Sequence, residues 1–229
     1  MKKLGKFLLA ILLLPVVFFA AAQTFGALWN VLKDFQTAVG FLAGGALYCA
    51  IHFLGFHFDR AYVWAHETTH AVAAMLFGFR VHSMSVGKNG GCVKMDRCNA
   101  FVALAPYFVP LYALLAALLY AAISLAKDIS AYREAFVFVV GFLMTFHFLQ
   151  TGKTLWEADQ PDLQAAGGRL FSAVIIILCN ALVLALALKC LFPAKVDLMQ
   201  MLRGTLAGGC DSWKIVINYI LDALAAAHA

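Results

Sequence analysis

Long apolar runs separated by short polar stretches dominate the chain. The first, 7–29, follows Lys2, Lys3 and Lys6. It is long enough to cross a bilayer as a helix, which takes roughly 20 apolar residues. A second, 37–58, carries Gly40, Gly44 and Gly45, which suit close packing against another helix, and Asp59 and Arg60 end it. A third, 61–79, has helical spacing, is short for a full crossing and stops at Gly78. Run 99–125 contains Pro106 and Pro110, which predict a kink in its first half. Run 135–150 ends in Thr145, His147, Gln150 and Thr151, polar residues that either line a wet cavity or mark the interface. Run 169–192 closes at Pro193.

Two stretches break this pattern. From 80 to 97 two short strand-like runs flank Asn89-Gly90, a hairpin turn signal, so the segment is either a β-hairpin whose edge can hold an extended peptide or a solvent loop with a turn. From 211 to 227 the residues Trp213, Val216, Ile217, Ile220 and Leu224 share one helical face, and Asp211, Lys214, Asn218 and Asp222 the other. That pattern predicts an interfacial helix. The expected fold is an all-α polytopic membrane protein of about six transmembrane helices, with a short β-hairpin after the third and a C-terminal interfacial helix. It forms a single domain over 1–229, with a core at 61–192, accessory helices in 1–60 and an amphipathic tail in 193–229.

Composition agrees: 64% of residues are hydrophobic and 13% charged. Soluble domains carry about a quarter charged. The net charge of +5 is dispersed along the chain and flanks the apolar runs, which excludes a nucleic-acid-binding surface and leaves membrane lipids as the surroundings. Ala20-Ala21-Ala22 resembles a signal-peptidase site, but the apolar run resumes from Phe25 to Trp29, so the first helix is expected to be retained. The lysines before it favour a cytoplasmic N-terminus, although Arg80, Lys88, Lys94 and Arg97 put positive charge elsewhere too. The expected location is the bacterial inner membrane. Of six cysteines, Cys92 and Cys98 flank one polar loop and could pair, which sequence alone does not decide.

One motif carries chemistry. In His66-Glu67-Thr68-Thr69-His70 the two histidines sit four apart, on one helical face, and can offer two nitrogens to one metal ion. Glu67 beside that ion can take a proton from water, the arrangement of a zinc peptidase. Three ionisable groups in an apolar helix are costly unless a dication compensates them. Catalytic zinc takes a third protein ligand. Asp162 and Asp159 precede the last apolar run and His147 ends the one before it. An aspartate there can equally cap a helix. Pro161 favours Asp162, by setting the turn that places it in the first turn of a helix. His147 is the alternative as a second-sphere or oxyanion group. Two readings without proteolysis use the same cluster: a metal-handling transporter, with His52 or His57 on an ion path, and a non-catalytic membrane scaffold.

The zinc motif in an early helix, with Ala71 and Ala74 after it, then a hairpin, a proline-containing span and an aspartate heading a later span, resembles the site-2 protease family of intramembrane zinc metalloproteases. The resemblance covers 61–192. It implies zinc held by His66, His70 and a downstream aspartate, Glu67 as the base, and transmembrane-helix proteins as substrates. The family's Leu-Asp-Gly-Gly differs here, since Asp162 is followed by Leu163-Gln164-Ala165-Ala166 before Gly167-Gly168.

Overall fold

Each apolar run forms helix in the computed structural model, which describes residues 3–87, 90–157 and 160–227. In chain order the elements are α1 (Lys3–Leu32), α2 (Phe35–Phe53), α3 (Asp59–Leu76), β1 (Val81–Gly87), β2 (Gly90–Met95), α4 (Ala100–Leu104), α5 (Leu111–Ala126), α6 (Arg133–Glu157), α7 (Pro161–Ala166), α8 (Arg169–Leu191) and α9 (Leu198–Ala227). Among the described residues α1, α2, α6 with the turn before it, and α8 are long and apolar enough to cross a membrane. A fifth span results if Ala100–Tyr107 and Leu111–Ala126, which meet at an 80° bend, count as one broken crossing. The sixth expected span, α3, does not qualify: its 18 residues include Asp59, Arg60 and Glu67.

Elements α2 to α7 form one compact unit. The Asp34 carboxylate starts α2 by accepting from the Thr37 N–H at 3.3 Å and the Thr37 hydroxyl at 2.9 Å. An otherwise orphan helix-end donor is thereby satisfied. The glycines of α2 do what the sequence suggested. A Cβ on Gly44 would overlap the Phe138 carbonyl of α6, and one on Gly141 of α6 would overlap the Phe41 carbonyl of α2, so the backbones meet with no side chain between them. Tyr48 is fully buried at this interface, edge-on to Phe142 and Phe146. The chain leaves α2 through Gly55 (φ 91°) and enters α3 through Phe58 in the left-handed region (φ 53°). A bulky residue adopts that conformation only under constraint.

After α3, Gly78 (φ 72°) reverses the chain into the antiparallel pair β1–β2, in register from Met84↔Val93 to Gly87↔Gly90. A glycine suits that position because it takes a positive φ without a Cβ clash. Asn89 of the expected turn lies outside the described residues. Cys92 and Cys98, whose pairing the sequence left open, are free thiols. The kink expected at Pro106 and Pro110 is a full break: a 3-10 turn, Ala105–Tyr107, separates α4 from α5. Lacking an N–H, each proline interrupts the helical ladder, and the chain exits it twice in quick succession.

Helices α1, α8 and α9 form a second compact unit. The Ala20-Ala21-Ala22 stretch runs inside α1, with Ala20 buried. Thr24 of α1 donates to the Ala181 carbonyl of α8 at 3.2 Å. Helix α9 starts earlier than the expected interfacial helix. It begins at Leu198, where the Asp197 carboxylate accepts from the Met199 and Gln200 N–H groups at 2.9 and 3.0 Å, as a capping side chain does. Its first half packs along α1: Gly204, Gly208 and Gly209 lie against Gln23, Phe19 and Val16, and the Trp213 indole donates to the Leu12 carbonyl at 3.0 Å. Small residues let it lie flush on an apolar helix, a packing that the amphipathic pattern alone did not indicate.

Candidate metal centre

One turn of α3 delivers the motif. Because residues four apart stack on one face, the His66 and His70 rings lie 4.8 Å apart, edge to face. Asp162 comes from α7, a helix of six residues that begins at Pro161. The displaced glycine pair has a role in this. Gly167 (φ 142°) and Gly168 (φ 103°) end α7, and the Gly168 N–H donates back to the Leu163 carbonyl at 2.8 Å. Glycines at such positions close a helix by returning a hydrogen bond to its last turn. Asp162 thus sits in the first turn of a helix that stops one turn later.

Asp162 Oδ2 is 3.4 Å from His66 Nε2 and 3.4 Å from His70 Nε2. The three donor atoms lie within 4.8 Å of one another, and among the described residues this is the group able to hold a metal ion. Zinc bonds of about 2.0–2.1 Å in tetrahedral geometry put neighbouring donors about 3.3 Å apart, which the two separations from Asp162 match. The outer bond of His70 fits as well. His70 Nδ1 lies 2.8 Å from the Val102 carbonyl. A carbonyl can only accept, so Nδ1 carries the hydrogen and Nε2 offers its lone pair. Burial alone would push the Asp162 carboxyl up, but the polar surroundings that His66, His70 and Tyr107 give it outweigh burial and hold the group well below the usual carboxylate range. It is therefore an anion, as a ligand must be. Two imidazoles, one carboxylate and an adjacent glutamate are a donor set suited to zinc.

Glu67 is 7% exposed and lines a cavity of about 740 Å³ together with His66, His70 and Asp162. Strand β2 forms part of the same cavity, and the contact is close: a Cβ on Gly91 would lie 2.8 Å from both Cδ and Oε1 of Glu67. Gln150 and Lys153 of α6 line it too; of the four polar residues at the end of that run, Gln150 is the one that faces this cavity. Lys153 and Gln150 reach the Asp59 carboxylate at 3.1 and 3.4 Å, tying α6 to the start of α3.

Of the residues expected at the site, the structure brings together His66, Glu67, His70 and Asp162. Asp159 lies outside the described residues. His147 is buried in α6 and borders a separate, smaller cavity beside His66 and Thr69; it does not line the one that Glu67 and Asp162 share. Sequence reasoning missed Gly91, the Val102 carbonyl and Tyr107. Only Tyr107 carried a signal, its place between Pro106 and Pro110 in a broken apolar run.

No curated protein and no solved structure matches the chain. A family model described as Peptidase M50B-like does, over residues 16–155, more than half of its length. The matched region takes in the zinc-motif helix, the hairpin and the broken span, and ends before Asp162. With that match, the chain belongs to the Peptidase M50B-like family, among the site-2 proteases.

Proposed function

We propose that the protein is a zinc-dependent intramembrane endopeptidase, embedded as one multi-pass domain in a bacterial inner membrane. It hydrolyses peptide bonds in or near transmembrane segments of other membrane proteins, in regulated intramembrane proteolysis or in the clearance of membrane remnants. The observation that carries this reading is the meeting of three donors, His66, His70 and Asp162, on the wall of a cavity that also holds a buried carboxylate not needed as a ligand, Glu67. Zinc bound by the three donors would supply a Lewis acid that acidifies a water and polarises the scissile carbonyl. Glu67, on the wall of the same cavity, is placed to accept a proton from the attacking water and to return it to the leaving amine as the peptide C–N bond breaks. A helical substrate hides its carbonyls in its own hydrogen bonds, so the chain must unwind before its backbone can enter the cavity beside β2. Incubation of the purified protein in detergent with single-span membrane substrates tests the reading: cleavage should stop with a chelator and return with zinc. Cleavage indifferent to chelation would exclude it.

The base has to be held as well as present. Because a Cβ on Gly91 would collide with the Glu67 side chain, which is nearly buried, Gly91→Ala must move either the carboxylate or the strand. A displacement on the order of 1 Å at a reacting group costs about 10²-fold in rate. Gly91→Ala is therefore expected to lower kcat/KM by about 10²-fold while zinc content stays as in the wild type. Zinc assay and initial rates on one preparation check both parts.

A further inference from the structure

We infer that the Tyr107 hydroxyl is the group that fixes Asp162 as the third ligand, and that the break in the α4–α5 span exists to bring it there. The inference rests on the zinc reading above and concerns a residue outside the motif. Tyr107 is fully buried at the end of the 3-10 turn between α4 and α5. Its hydroxyl is 2.9 Å from Asp162 Oδ2 and 3.3 Å from Gln160 Oε1, and its ring meets His66 edge to face at 5.1 Å. A tyrosine has one hydrogen to give, and an ionised carboxylate attracts it more strongly than an amide oxygen does. The shorter contact follows that preference.

The lone pairs at Oδ2 sharpen the assignment. Three groups converge on that one atom, His66 Nε2, His70 Nε2 and the Tyr107 hydroxyl. A carboxylate oxygen has about two acceptor directions. Two histidine hydrogens and a hydroxyl overfill it. If both imidazoles instead turn lone pairs toward one shared cation, Oδ2 keeps one direction for that cation and one for the Tyr107 hydrogen. Tyr107 is then to Asp162 what the Val102 carbonyl is to His70, an outer partner that sets the rotamer of a ligand. Gln160 takes its own place from the Thr154 carbonyl, to which its amide donates at 3.1 Å. The turn is essential to this placement. In an unbroken helix through 100–126, position 107 would continue the α4 axis. The 80° bend instead frees Tyr107 to face α7.

The test uses the full chain in detergent, loaded with Co²⁺ as a spectroscopic substitute for zinc and titrated against a chelator. Tyr107→Phe, which removes only the hydroxyl, is expected to bind the metal about 10- to 100-fold more weakly and to shift the Co²⁺ visible bands, because Asp162 is no longer held. Tyr112→Phe loses a comparable bond to the start of α3, from the hydroxyl to the Ala61 carbonyl at 2.8 Å, and is expected to match the wild type. Gln160→Ala removes the competing acceptor and is expected to bind metal at least as tightly. Wild-type affinity and bands in Tyr107→Phe would overturn the assignment, as would an equal loss in Gln160→Ala, which would mark the pair as packing alone. A wild type that takes up no metal would overturn the protease reading itself, a different outcome from either.

Discussion

Glu67→Gln should leave zinc at about one per chain and lower cleavage by on the order of 10²–10⁴-fold, the usual worth of a positioned general base. The two effects separate because the residue has no part in holding the ion: the donors that converge are His66, His70 and Asp162. Glutamine keeps the size and planarity of glutamate, so the contact with β2 at Gly91 survives, and only the ability to accept a proton is lost. Loss of zinc together with activity would instead make Glu67 a ligand and Asp162 a cap. The substitution also separates the rival readings of the cluster. A scaffold that keeps the metal fold to bind partner helices would be indifferent to it in the cell, and a transporter would show metal flux and no cleavage even in the wild type. Rates on single-span substrates, with zinc measured on the same sample, decide among them.

The motif helix was legible in the sequence because its chemistry is local. A spacing of four is enough to place two imidazoles on one face, and no distant contact is needed to infer it. The hairpin was legible for the same reason, its turn signal and alternating runs being local. Elements that depend on contacts far along the chain were less so. Gly91 reads as a turn glycine until β2 is laid over α3, and only then does its missing Cβ become the space that Glu67 occupies. Tyr107 reads as one aromatic in an apolar run; its meaning lies in a contact 55 residues away. The motif helix was counted among the membrane helices although short for a full crossing, and the groups that give it chemistry are among those that reduce its apolarity. In α9 the amphipathic face was visible but its partner was not. Asp197 and the glycines at 204, 208 and 209 carried the start and the packing face, and neither shows as a peak of hydrophobicity.

Asp162→Ala is expected to remove zinc as well as activity, with an affinity loss beyond the roughly 10- to 100-fold that an outer partner is worth. The carboxylate is the only anionic member of the three-donor group, and it is the member that both imidazoles face at 3.4 Å. Alanine leaves two neutral nitrogens, which hold a dication far less well than three donors with a charge among them. The change should reach the metal before it reaches the fold. Pro161 still starts α7, Gly167 and Gly168 still end it, and Ala166 remains the residue that packs inward. Asp162→Asn separates charge from position, since it keeps a shape that can accept from Tyr107 while giving up the charge. An intermediate metal affinity for asparagine, between wild type and alanine, would show that both count. Zinc retained at wild-type affinity in Asp162→Ala would move the third ligand to Asp159 or His147. His147 would then have to leave its own small cavity to reach the ion, so Asp159 would be tested next. The family match ends before this aspartate, which makes it the position where the metal centre depends most on this chain's own geometry.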